Sequence, residues 1–276
     1  MISSSFSYKS SKIHYLKSGR KEEILFFFHG YGESAASFEN IAERLSDHFR
    51  IIAIDLPFHG KTEWNEGQVV KPEDLLEILD SIAGLESERL SKWTVSGYSM
   101  GGRIALMLLQ IAPERISHLV LIAPDGLTIN WWYWLATQTM TGKQLFRYTM
   151  HHPGWFKGLL RLGKSSGLVN PSEFKFSMSY LQDPGIRMDL YQRWIGMKGF
   201  RPSVKKIKKL MLREKIHVDI IYGRFDRIIS QDTGKEFQKG IENHVRVVLL
   251  DVGHQLLHAK TMDAIVRVFI NRSDLF

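Results

Sequence analysis

Two hydrophobic periods alternate along the chain up to Pro124. Short apolar runs at residues 24–28, 51–54, 93–96 and 118–123 read as strands buried on both faces. Between them, residues 35–45, 73–82 and 103–110 carry apolar side chains at three- and four-residue steps, the period of amphipathic helices. Such alternation predicts an α/β fold, a mostly parallel sheet covered by helices on both faces. The pattern resumes at Ile216 as strand, helix, strand, helix, with the strands at 218–222 and 245–250. Between these blocks the chain is helical, aromatic and basic, and carries no strand signal. No internal repeat or low-complexity tract interrupts it.

Composition narrows the class. A chain of 276 residues holds one α/β domain with an inserted lobe and buries an ample core. The absence of cysteine excludes thiol nucleophiles, disulfides and cysteine-ligated zinc. The N-terminus is serine-rich without an apolar signal region, and no apolar run reaches membrane-spanning length. A soluble, cytoplasmic protein with no integral membrane segment is the expectation. The formal charge of +8 includes a cluster of Lys205, Lys206, Lys208 and Lys209. Val204, Ile207 and Met211 recur between them near helical spacing, so the lysines read as one solvated helix face. Weak contact with an anionic membrane surface, or an acidic substrate, is the alternative. Nucleic acid is not an expected partner, because no reader motif accompanies the charge. The sequence does not specify an oligomeric state.

Candidate chemistry centres on Gly97-Tyr98-Ser99-Met100-Gly101-Gly102, which joins an apolar run to a helical pattern. Strand, one-residue turn and helix make a nucleophile elbow, in which Ser99 is strained and bulky neighbours would clash. The unpaired N–H groups of the helix start, Met100 first, then face any negative charge forming beside the hydroxyl. A second donor is available after the strand at 24–28, in His29-Gly30-Tyr31-Gly32, where the Tyr31 amide is the candidate. His29 reads as a structural residue that fixes this loop.

Two further segments supply an acid and a base. Asp226 lies in the loop after the strand at 218–222, where a carboxylate can accept Nδ1–H of a histidine and fix its tautomer. A helix cap, or a salt bridge to Arg224 or Arg227, is its structural alternative, and Asp125 is the rival acid. His254 follows the last strand in Asp251-Val252-Gly253-His254, within reach of nucleophile and acid. His258 is expected on the final helix, and the pair His151-His152 in solvent. The chain order Ser99, Asp226, His254 differs from that of the two other common serine triads. A fifth segment, Asp55-Leu56-Pro57-Phe58-His59-Gly60, ends another buried strand.

Taken with these segments, the chain resembles the α/β-hydrolases from about residue 13 to 269. The resemblance implies an eight-stranded sheet, a Ser99–His254–Asp226 triad and an oxyanion hole at Tyr31 and Met100. It implies a core of residues 1–126 and 214–276 interrupted by a helical cap at 127–213. It calls for no metal and no organic cofactor. A carboxylesterase-like serine hydrolase acting on a small-molecule ester of small or medium apolar character is the leading expectation. A non-catalytic binding protein of the same fold is disfavoured, because all three triad positions hold competent residues.

Specificity is expected in the cap. Trp131-Trp132-Tyr133-Trp134 is its most unusual stretch, and Trp131 and Trp132 are candidate lining residues for an apolar substrate; packing of the cap is the plainer explanation. Gly-Tyr-Ser-Met-Gly-Gly-Arg also resembles the elbow of the menaquinone-pathway synthases that eliminate pyruvate. That likeness implies substrate contacts from Tyr98 and Arg103, with Arg103 holding a carboxylate. A pairing of Arg103 with Asp125 is the alternative.

Overall fold

The two blocks of alternation combine into one sheet. The computed structural model describes residues 1–87, 92–128 and 130–271, and among them eight strands are ordered β1-β2-β4-β3-β5-β6-β7-β8. They are β1 (Ile2–Tyr8), β2 (Ser11–Ser18), β3 (Ile24–Phe28), β4 (Arg50–Ile54), β5 (Trp93–Tyr98), β6 (Ile116–Ile122), β7 (His217–Gly223) and β8 (Val245–Leu250). β1 and β2 form an antiparallel hairpin laid antiparallel against β4. From β4 to β8 every pairing is parallel. The hairpin carries no continuous apolar run to mark it in sequence. In β1 the apolar face is Ile2, Phe6 and Tyr8 with Ser4 among them, and the other face is Ser3, Ser5 and Ser7.

The central strands are apolar throughout because both of their faces are covered. Phe27 stacks on Phe38 at 4.4 Å and lies 5.7 Å from Phe269, while Phe26 turns to the other face and meets Trp93 edge-on at 5.0 Å. Full burial of each such ring contributes about 1.5–3 kcal/mol. On the Phe27 side, α1 (Glu39–Leu45) packs with α11 (Ala259–Ile270). A second helix group comprises α2 (Pro72–Glu86), α3 (Met100–Ile111) and α9 (Val204–Glu214), and α10 (Asp232–Gln238) packs on β8. The helix expected at 35–45 opens as a 3-10 turn, Ala35–Phe38, before α1.

The parallel half of the sheet contains a buried charged cluster. Asp219 on β7 is 1% exposed; it accepts from His118 Nε2 at 2.8 Å and from Arg246 Nε at 2.6 Å. Burial raises the pKa of this carboxyl, but the hydrogen bonds and charges of His118 and Arg246 together outweigh burial and hold it below the usual carboxylate range. A depressed folded pKa means that the stabilisation is present above the unfolded carboxylate value and is lost as pH falls through the folded one. Asp219→Ala leaves Arg246 without this partner, and about 3–5 kcal/mol of stability should go with it. Urea unfolding at neutral pH measures this; a loss below about 1 kcal/mol would show that the cluster is not coupled to folding.

The chain divides into two compact units, Met1–Thr128 with Gly199–Phe276, and Ile129–Lys198. The second contains α4 (Trp131–Gln138), α5 (Met140–His151), α6 (Gly154–Ser165), α7 (Pro171–Gln182) and α8 (Pro184–Gly196). Its rings cluster: Trp194 lies 5.2 Å from Tyr133 and 5.3 Å from Phe146, which also meets Tyr191 at 5.4 Å. Arg187 ties three helices by donating to the carbonyls of Met150 and Leu181. This unit is shorter than the 127–213 segment expected from sequence. The stripe Ile207, Leu210 and Met211 is buried and α9 packs on α3, so α9 belongs to the first unit while Lys205, Lys206 and Lys209 remain exposed. Among the described residues no helix is long and apolar enough to cross a membrane.

Candidate active site

β5 passes into α3 through a single residue. Ser99 has φ 51° and ψ −114°, a conformation that costs an L-residue about 1–3 kcal/mol. The turn is pinned by backbone: Ser99 N donates to Ile122 O at 2.9 Å, and Gly102 N and Asp125 N each donate to Ser99 O at 2.9 Å. The flanking glycines follow from the closeness of the chain. A Cβ on Gly97 would stand 2.1 Å from Gly101 O, and one on Gly101 only 1.9 Å from Phe28 O. Met100 is the first residue of α3, so its N–H lacks an acceptor within the helix.

Loops after β7 and β8 bring the other two groups to this turn. His254 Nε2 lies 3.2 Å from Ser99 Oγ, and His254 Nδ1 lies 2.7 Å from Asp226 Oδ2. The loops are tied together, with Arg224 N donating to Leu250 O and Phe225 N to Val252 O. The Asp226 side chain is fully buried, and its Oδ1 accepts from Ile228 N at 2.7 Å and Ile229 N at 3.0 Å. An ionised carboxylate only accepts, so the imidazole proton sits on Nδ1 and Nε2 accepts from the Ser99 hydroxyl. Asp125, the rival acid, instead places Oδ2 3.5 Å from Arg103 Nε. That is the internal pairing offered by the sequence as the alternative to a substrate carboxylate.

The remaining candidates have distinct environments. Tyr98 is buried; its hydroxyl donates to His254 O at 3.0 Å, and its ring lies 5.6 Å from the imidazole. Burial first, then the nearby charges of Glu33 and Asp226, push its pKa upward and keep it a neutral donor. Tyr98 therefore braces the His254 loop, a position that its place in the elbow motif did not reveal. Glu33, which the sequence reading passed over, lies against the same loop as Gly30 and Tyr31. His29 is fully buried: Nδ1 donates to Gly30 O at 2.8 Å and Nε2 accepts from Leu56 N at 3.1 Å. This bonding fixes the turn that carries the Tyr31 amide, and the half-buried Tyr31 ring stands edge-on to His59 at 6.1 Å. Trp131 and Trp132 open α4 in the second unit, 70% and 78% exposed, with Trp131 edge-on to Trp134. His258 is the residue before α11 rather than part of it. Among the described residues, no three His, Cys, Asp or Glu side chains converge as a metal site.

The family model described as the alpha/beta hydrolase fold matches residues 23–261. The chain belongs to that family. Over 250 residues it is 26% identical to the uncharacterized hydrolase YugF of Bacillus subtilis, covering 87% of this chain and 86% of that protein. It is 28% identical over 135 residues to the pimeloyl-[acyl-carrier protein] methyl ester esterase of Nitrosomonas europaea, 48% of this chain and 50% of that one. Among solved structures, the thioesterase domain from the curacin biosynthetic pathway superposes with a TM-score of 0.66 at 14% identity, over 98% of this chain and 99% of that one. At that identity the likeness establishes the fold. This alpha/beta hydrolase thus has relatives named as hydrolases and esterases.

Proposed function

We propose that this alpha/beta hydrolase is a serine carboxylesterase acting on small or medium apolar esters through an acyl-enzyme. The observation that carries the reading is the relay from Ser99 Oγ to His254 at 3.2 Å and on to the buried Asp226 at 2.7 Å. In this reading His254 Nε2 takes the hydroxyl proton as Ser99 Oγ attacks the ester carbonyl carbon. The N–H groups of Met100 and Tyr31 donate to the oxyanion, each contributing about 3 kcal/mol to the transition state. The imidazolium then protonates the departing alkoxide. Water, deprotonated by the same nitrogen, attacks the acyl carbon, and the acid leaves as Ser99 recovers its proton. Asp226 stays ionised throughout, holding the Nδ1–H tautomer and balancing the transient positive charge.

The preference for a neutral, apolar acyl group has its own support. Arg103, the basic residue nearest the nucleophile in sequence, pairs with Asp125, and Glu33 raises the local negative potential felt at Tyr98. Steady-state hydrolysis of p-nitrophenyl esters of increasing acyl length tests the reading. Turnover should pass through an optimum at a short or medium chain. No turnover at any length would overturn it.

A further inference from the structure

A second serine–histidine–aspartate relay lies on the N-terminal hairpin, at the edge of the sheet rather than at the elbow after β5. Ser3 Oγ on β1 is 2.9 Å from His14 Nε2 on β2, and His14 Nδ1 is 2.7 Å from Asp55 Oδ2 after β4. The pairing of strands explains the meeting. Ser5 lies opposite His14 in the antiparallel register and Ser3 is on the same face two residues back, while Asp55 N donates to His14 O across the β2–β4 pairing.

The support behind the imidazole matches that of the first relay. Asp55 is buried, with Oδ1 accepting from Ala35 N at 2.7 Å and Oδ2 from Lys61 N at 2.7 Å. Such a carboxylate accepts Nδ1–H of His14, which leaves Nε2 with its lone pair toward the Ser3 hydroxyl. The ring is steadied on its backbone side too. His14 N donates to Thr62 Oγ1 at 3.0 Å, and that hydroxyl donates to Asp55 O at 2.6 Å. The histidine side chain is 11% exposed, whereas Ser3 itself is exposed and open to reagents. Both border a surface cavity of about 290 Å³ that Ser5, Lys12, Lys61 and Glu63 also line.

We propose that Ser3 is a second activated serine, an acceptor for acyl groups from activated esters, with His14 as its base and Asp55 holding that base. The step balances without a further reactant. Ser3 Oγ bonds to the acyl carbon, His14 Nε2 takes the hydroxyl proton, and the departing aryloxide or alkoxide takes it back as the acyl–oxygen bond breaks. The ammonium groups of Lys12 and Lys61, two cations against the one carboxylate of Glu63 in the cavity, favour the negative charge that develops on the carbonyl oxygen. The product is an O-acylserine on the sheet edge, a modification distinct from turnover at Ser99.

The test uses the Ser99→Ala protein, so that the elbow cannot contribute. It is treated with p-nitrophenyl acetate and mapped by peptide mass spectrometry over time. Acetyl should appear on Ser3 on the order of 10²-fold faster than on Ser5, which shares the cavity but lacks the relay. In the same background His14→Asn should bring Ser3 down to the Ser5 rate. Ser3→Ala alone should leave ester turnover at Ser99 unchanged. Equal labelling of Ser3 and Ser5, or no label on Ser3, overturns the proposal whether or not His14→Asn folds and whether or not Ser99 is an esterase nucleophile.

Discussion

Ser99→Ala should lower kcat for ester hydrolysis on the order of 10⁶-fold while leaving the fold intact. The two halves of that expectation come from different atoms. Only Oγ faces His254 Nε2, and without it His254 and Asp226 have no proton to move to an acyl acceptor. The unusual backbone of the turn is held by Ile122 O, Gly102 N and Asp125 N, none of which depends on the side chain. Alanine keeps the same Cβ and so the same strain. The urea midpoint should therefore stay within about 0.5 kcal/mol of the parent, in the range of substitutions that remove no packing. A variant retaining more than about 1% of kcat would place the nucleophile elsewhere.

Asp226→Asn should cost about 10⁴-fold in kcat, close to 5.5 kcal/mol at the transition state. The reason is the wiring of the carboxylate. Its Oδ1 accepts from two backbone amides, Ile228 N and Ile229 N, so an asparagine must keep its carbonyl oxygen there. Its NH₂ then occupies the Oδ2 position, 2.7 Å from His254 Nδ1. Two donors cannot face each other, so the imidazole moves its proton to Nε2 and presents N–H to the serine it should deprotonate. Binding of substrate should change little, which separates kcat from KM. A loss smaller than about tenfold would mean that another carboxylate orients the histidine, with Asp125 the first to examine.

Much of this geometry was legible because it depends on local covalent constraints. Gly97 and Gly101 are required by distances of about two ångströms to neighbouring backbone, and such a requirement leaves a mark in sequence. Asp226 and Asp125 both fall between Ser99 and His254 in the chain, so order does not separate them; the place of Asp226 on the loop after a late strand does, and β7 and β8 are neighbours in the sheet. What sequence hid were contacts made through the tertiary fold. The likeness to the synthase elbow implies a substrate contact from Tyr98, and no local motif encodes the bond of its hydroxyl to a carbonyl 156 residues away. Arg103 had two candidate partners, and only three-dimensional proximity selects Asp125. The edge of the sheet was hidden for another reason. In β1, serine fills positions on both faces, so the apolar alternation is too sparse to announce a strand. With that strand unread, Ser3 and His14 could not be seen to meet. The lysine-rich helix α9 gives the converse lesson: its composition resembles the basic segment before it, and its buried stripe assigns it to the sheet domain instead.

The central claim, that Ser99 carries the acyl group between two chemical steps, is met most directly by rapid mixing with the best p-nitrophenyl ester of the length series. A burst of p-nitrophenol of about one equivalent per protein is expected, with the acyl group mapped to Ser99 in acid-quenched peptides. Steady turnover with substrate in excess, no burst and no acyl group on Ser99 would contradict it, and would point to direct attack by water.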